Sequence, residues 1–218
     1  MRKIFITALM ACFTFFSANA QENTSAENTG YTKFQLRVRA LVVAPDESAT
    51  IEAIGGDVQI TNNYVPELDL TYFFTKNIAA ELILATTKHD VKAVATAAGD
   101  IPLGSVRLLP PTLTLQYHFN GDLVRPYIGA GVNYSLFFDE KSGPVADKVE
   151  YDNAFGFAFQ LGFDFDITDK WFVNLDAKYL LLNTDVTVDA TTALGATVGA
   201  DVDINPFIAG VGIGYRLF

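Results

Sequence analysis

Apolar and polar residues alternate one for one along most of this chain. In Phe34-Gln35-Leu36-Arg37-Val38-Arg39-Ala40-Leu41-Val42 every even position is apolar, and Gln35, Arg37 and Arg39 fall between them. A period of two puts the two classes on opposite faces of a strand. Residues 65–74 set Leu68, Leu70, Tyr72 and Phe74 against Glu67, Asp69 and Thr71, and residues 78–86 set Ala80, Leu82 and Leu84 against Ala79, Glu81 and Ile83. Residues 112–119 repeat the pattern with Leu113, Leu115, Tyr117 and Phe119 against Gln116 and His118. In the second half it spans 125–138, 154–167, 171–182 and 206–217, clearest where Phe155, Phe157, Phe159, Leu161, Phe163 and Phe165 oppose Gly156, Gln160, Gly162 and Asp164.

A soluble β-sandwich also has strands with one apolar face. Two features point elsewhere. Most of these strands are longer than the roughly 5–6 residues usual in globular sheets and match the roughly 9–11 tilted residues that cross a bilayer. Aromatic residues also stand at both ends of the apolar face: Tyr72, Phe74, Tyr117, Phe119 and Trp171 at one, Tyr134, Phe138, Phe155 and Tyr179 at the other. That is the arrangement of two interfacial girdles. Three connections are short (75–77, 120–123, 168–170) and four are long (44–63, 87–109, 139–153, 184–204). The pattern predicts an all-β, eight-stranded antiparallel transmembrane barrel with short periplasmic turns, long outer loops and both ends in the periplasm.

Composition and charge narrow the picture further. Residues 1–20 combine basic Met1-Arg2-Lys3, an apolar stretch and Ala18-Asn19-Ala20, the anatomy of a cleaved export signal. A competing lipobox, Leu9-Met10-Ala11-Cys12, leaves too short an apolar region. Cleavage leaves residues 21–218 as a single barrel domain, delivered to the outer membrane, and removes the one cysteine with the signal. Losing Arg2 and Lys3 takes the formal charge from -10 to -12, which argues against nucleic acid as a partner.

Several segments then resemble one family. Tyr64-Val65-Pro66-Glu67-Leu68-Asp69-Leu70-Thr71-Tyr72-Phe73-Phe74-Thr75, Asn77-Ile78-Ala79-Ala80-Glu81-Leu82, Lys88-His89-Asp90, Leu109-Pro110-Pro111-Thr112-Leu113-Thr114-Leu115-Gln116-Tyr117-His118-Phe119 and Arg125-Pro126-Tyr127-Ile128-Gly129-Ala130-Gly131-Val132-Asn133-Tyr134 are similar, in order, to the OmpW family of outer-membrane proteins. The resemblance implies an eight-stranded barrel that gives small hydrophobic molecules a route into or across the outer membrane, with lateral exit into the bilayer. The chain ends Gly214-Tyr215-Arg216-Leu217-Phe218, one residue longer than the family's usual Gly-Tyr-Arg-Phe.

An eight-strand barrel is barely wide enough for its own side chains, so inward residues decide what it does. Strand direction assigns Glu81, Gln116, His118, Arg125, Asp164, Asp166, Asp176 and Arg216 to the lower or middle lumen, with Arg37 and Arg39 near mid-height. Glu67, Asp69 and Lys178 complete a set of five bases and six acids, expected to pair as a closed polar floor. Higher up, Phe137, Leu180, Leu182 and Ile83 turn the inward face apolar, the candidate ligand-binding cup. The Gly129-Gly131 and Gly210-Gly212-Gly214 series either weaken the wall or make room for bulky neighbours.

No cofactor or metal site is implied, and no catalytic set emerges. His89 with Ser105 or Ser142 has no fixing motif, and the loop acids Asp139, Glu140, Asp147, Glu150 and Asp152 lack EF-hand spacing. A lipid-modifying enzyme is therefore disfavoured. A structural barrel or surface receptor for phage, bacteriocins or host molecules stays open beside the conduit. Expected partners are outer-membrane lipid, small hydrophobic solutes and, through the last strand, the barrel-assembly machinery.

Overall fold

The computed structural model describes residues 32–51, 55–97 and 99–217. The export signal expected at 1–20 and the terminal Phe218 lie outside these residues. In chain order the strands begin with β1 (Phe34–Ala44), β2 (Ser48–Ile51), β3 (Asp57–Ile60), β4 (Asn63–Phe73) and β5 (Ile78–Ala85). Next come β6 (Thr87–Thr96), β7 (Gly99–Leu109), β8 (Thr112–His118), β9 (Val124–Ser142) and β10 (Lys148–Tyr151). β11 (Ala154–Asp166), β12 (Trp171–Leu181), β13 (Asn183–Ala190), a one-turn helix α1 (Thr191–Leu194), β14 (Ala196–Asp203) and β15 (Phe207–Arg216) complete the chain.

Eight of these strands close a ring of antiparallel pairs: β1, β4, β5, β8, β9, β11, β12 and β15, with β15 returning to β1. Closure leaves no membrane-level edge with unsatisfied backbone groups. Alternation sends the apolar faces outward. Phe155, Phe157, Phe159 and Leu161 are 64%, 57%, 51% and 47% exposed, whereas the opposite face of the same strand is buried. A contiguous exposed apolar belt of this kind needs lipid to cover it. The girdle aromatics pack among themselves along its rims, with Tyr72 against Phe74 at 5.1 Å between ring centres and Trp171 against Tyr215 at 4.7 Å.

The four segments expected as long loops are instead largely stranded. β9 alone has 19 residues, or about 60 Å at roughly 3.3 Å per residue, more than twice the ~25 Å apolar band. Its upper half carries β7, β6 and β3 in turn, while β10, β13, β14 and β2 form a second sheet. The two sheets continue the wall above the membrane. Side chains stitch the seam between β2 and β3: Asp57 Oδ1 accepts from Ala49 N at 2.8 Å, and Glu47 Oε1 accepts from Ile60 N at 2.8 Å. The apolar core sits in this extension, where Val91, Val106, Leu108, Val149, Leu182, Val186 and Val202 pack inward.

Candidate functional site

Two layers divide the interior. The lower layer is built by cross-strand register: Arg37 stands opposite Asp69 and Arg39 opposite Glu67 on the neighbouring strand. Arg37 Nη1 donates to Thr71 Oγ1 at 2.7 Å and Glu81 Oε1 at 2.5 Å, and its Nη2 donates to Asp164 Oδ2 at 3.1 Å. Arg39 reaches Glu67 at 2.8 Å, Asp69 at 3.0 Å, Glu81 at 3.2 Å and Asn174 at 2.7 Å. Lys178 Nζ joins Glu67 at 2.7 Å to Asp176 at 2.8 Å. All of these charged groups are buried. Charges taken out of water are tolerated when paired in this way; Asp69 has its ion pair with Arg39 but accepts no hydrogen bond among the described residues.

Arg125 and Arg216 both hold Asp166, at 3.1 Å and 2.5 Å, forming a second, half-open cluster at the periplasmic end. His118 lies between the two clusters. Its Nε2 is 2.9 Å from Gln116 Oε1, and its ring stacks on Tyr127 at 4.8 Å. The charged residues expected in the lumen thus fall into one large network and one small one. Of the neutral members, Gln116 is the one the sequence places in the lumen, and Tyr127, Gln160 and Phe172 join it. Tyr127 OH donates to Asp176 Oδ2 at 2.6 Å, and Gln116 and Gln160 both donate to Glu81 Oε2, at 2.6 and 2.8 Å. Phe172, fully buried, lies under Arg37 and Arg216 at 5.4 and 4.8 Å. Tyr127 and Gln160, like Gln116, share the inward phase of the charged residues, and that phase was the available signal.

At part of the glycine series large side chains fill the space, while at Gly131 a Cβ would meet the backbone of the neighbouring strand. A Cβ at Gly214 would run into the Phe172 ring, one at Gly212 into Arg39, and one at Gly162 into the Tyr127 ring. These glycines let large side chains occupy a narrow lumen.

Above the network lies a cavity of about 1490 Å³, open mouth included. Ile83, Phe137, Leu180 and Leu182 line it, with Leu41, Val43, Leu108 and Ile204. At its foot stand Glu67 and Lys178, already paired with each other. Phe137 stacks on Tyr151 at 5.5 Å between ring centres. His89 is buried against the cavity, and its Nδ1 donates to the Thr61 carbonyl at 2.6 Å, so that nitrogen is oriented by backbone and not by a carboxylate. Of the acids weighed as a cation site, Asp139 pairs with Arg107 at 3.1 Å, Glu150 with Lys148 at 2.6 Å, and Asp147 accepts from Thr192 N at 2.8 Å.

Strand pairing in the wall beside the cavity lapses in more than one place: between the β3–β4 and β5–β6 runs it stops at Glu67 opposite Ala85 and resumes at Ile60 opposite Val91, and a second interval lies beside Pro110 and Pro111. β5 pairs with β8 up to Ile83 opposite Thr112, and pairing resumes only at Thr87 opposite Leu108. Pro110 and Pro111 fall in the interval, where they supply no N–H.

These features converge on a known family, whose model matches residues 10–217. The chain belongs to the OmpW family. An outer-membrane protein of Sinorhizobium fredii, y4mB, is 41% identical over 96% of this chain and 94% of its own length. Outer membrane protein W of Escherichia coli is 35% identical over 99% of this chain and 100% of its own. The crystal structure of OprG from Pseudomonas aeruginosa superimposes with a TM-score of 0.79 at 29% identity, covering 85% of this chain and 96% of that one. OmpW membership and the closed barrel place the protein in the outer membrane, its apolar belt against lipid.

Proposed function

We propose that the protein gives small hydrophobic molecules a route from the outside into the outer membrane. The observation that carries this reading is the apolar cavity, open at its upper end, standing on a floor whose ions are paired with one another. An apolar solute gains roughly 25 cal/mol for each Å² removed from water. It would therefore collect among Ile83, Phe137, Leu180 and Leu182. Below, displacing the ion pairs would cost more than an apolar solute can return, so axial passage is blocked and aqueous diffusion with it. The exit is sideways, through the interval around Pro110 and Pro111 where strand pairing lapses.

Leu180→Asp or Leu182→Asp places a carboxylate in the cup. Each should strongly reduce uptake of an apolar fluorescent tracer into vesicles carrying the folded barrel. Unchanged uptake would overturn the reading and leave a structural barrel or receptor. Export by cleavage after Ala20 belongs to the same proposal, and N-terminal sequencing of the membrane-extracted protein should begin at Gln21.

A further inference from the structure

The outer wall changes character abruptly where the apolar belt ends. Outward positions on the β5–β6 run are Leu82, Leu84, Thr86 and then Lys88; on the β8–β7 run, read upward, they are Leu113, Pro111, Leu109 and then Arg107. Lys88 and Arg107 are directly opposite each other in the β6–β7 register. Arg107 also pairs with Phe138, a member of the outer aromatic girdle. Two cations therefore face each other at the height where acyl chains give way to headgroups. Like charges opposite one another on a sheet repel, and the carboxylate that pairs with Arg107, Asp139, is 45% exposed.

The placement is asymmetric. Among the described residues above the membrane, Lys88, Lys92, Arg107 and Lys141 lie on β6, β7 and β9, and a fifth cation, Lys148 on β10, is paired with Glu150. Asp90, Asp100, Asp139 and Glu140 are interspersed with them; of these Asp139 pairs with Arg107, while Lys88 has no ion pair among the described residues. The wall on β13 and β14 instead presents Asn183, Asp185, Asp201 and Asp203, in register with one another.

We propose that Lys88 and Arg107 form a clasp for the phosphate of an outer-leaflet lipid, whose acyl chains lie below on Leu84, Leu109 and Leu136. A phosphate bridging the pair satisfies both cations at once, the arginine through its planar fork and the lysine as a point charge. Leaflet lipids that carry phosphate directly at the acyl boundary, as phosphorylated glycolipids do, meet this geometry. The clasp faces the membrane and works whether or not the cavity carries a solute.

The test is native mass spectrometry of the folded, detergent-solubilised full barrel titrated with diphosphoryl lipid A, and with the same lipid stripped of phosphate. Wild type should retain the phosphorylated lipid and release the stripped one. Lys88→Gln with Arg107→Gln should weaken retention about thirtyfold, roughly fivefold for each basic side chain. Lys92→Gln with Lys141→Gln, higher on the same strands, should change it little, and Asp139→Asn should strengthen it. Inorganic phosphate at the lipid's concentration should not compete. Retention by the Lys88/Arg107 variant within about twofold of wild type, equal retention of the stripped lipid, or displacement by inorganic phosphate would overturn the proposal. Heat-dependent gel migration verifies that each variant is folded, and both side chains lie outside the core.

Discussion

Glu81 is the hub of the floor, and its removal is the sharpest test of how the floor is held. Its Oε1 accepts from Arg37 at 2.5 Å, Arg39 at 3.2 Å and Thr71 at 3.3 Å, and its Oε2 from Gln116 and Gln160 at 2.6 and 2.8 Å. Breaking a buried ion pair from one side costs about 3–5 kcal/mol. Here neither arginine is orphaned, because Arg37 keeps Asp164 and Arg39 keeps Glu67 and Asp69. Glu81→Ala should therefore fall at the low end, about 3 kcal/mol. Glu81→Gln keeps one accepting oxygen but turns charged hydrogen bonds into neutral ones, which predicts about 2 kcal/mol. The assay is urea unfolding from lipid vesicles followed by the fluorescence of Trp171, the only tryptophan, which is 49% exposed on the lipid face. A loss below about 0.5 kcal/mol for Glu81→Ala, the level of an ordinary surface change, would refute the network as a source of stability. So would a Gln variant weaker than the Ala variant.

Gly162→Ala drives a methyl into the Tyr127 ring, whose hydroxyl is tied to Asp176, and should cost about 1–3 kcal/mol in the same unfolding assay. His89 lies above the membrane, and burial pushes its imidazole below the ordinary 6.5, only partly opposed by the Thr61 carbonyl and by Asp90 and Glu47. The unfolded chain then binds the proton more readily than the folded one, so stability is full above pH about 6.5 and declines as pH falls through the lowered folded value. Hydrogen exchange in β6 should quicken between neutral and mildly acidic pH, after correction for intrinsic rates, and His89→Gln should abolish that dependence. Pro110→Ala with Pro111→Ala returns two N–H donors to the wall and should slow tracer release into the bilayer without reducing its capture in the cup; unchanged release would place the exit elsewhere.

The membrane-level faces were legible because lipid and lumen impose opposite demands on successive residues. Arg37, Arg39, Glu67, Asp69, Glu81, Asp164, Asp176 and Lys178 could each be assigned inward by phase alone. The upper strands were harder to recognise because the polarity of the two faces inverts at the membrane surface while the phase continues. Along β5 and β6 the inward residue changes from Glu81 to Ile83 and on to Val91, and the outward one from Leu84 to Lys88. A search for one apolar face sees the pattern stop there, although the strand does not. The upper segments also use Ala, Thr and Val where the membrane strands use aromatics, and bulges at Val91/Lys92 and Ala93/Thr96 break the count. Tyr127 and Phe172 were readable as inward but not as partners of the arginines. That role depends on Gly162 and Gly214 on neighbouring strands, which only register can bring alongside.

The inversion does not happen at the same height on the two faces. On β12 and β13 the inner face becomes apolar at Leu180, just after Lys178, whereas the outer face stays apolar through Leu181 and becomes polar only at Asn183. On β5 the inner change comes at Ile83 and the outer one only after Leu84; on β1, Leu41 faces in while Val42 faces out. The cup thus dips below the upper rim of the apolar belt, leaving a collar of wall with apolar side chains on both sides. On the proposed route, a solute there would be separated from lipid by the thickness of one sheet, with no polar layer between. Within that collar, at residues 84–86 and 109–111, strand pairing lapses and two prolines withhold their donors. Elsewhere in the membrane, parting two strands would expose several backbone groups to hydrocarbon, at several kcal/mol each. Here, as between the β3–β4 and β5–β6 runs, fewer hydrogen bonds would need to break, so the proposed sideways route would meet a low barrier at the depth of the cup.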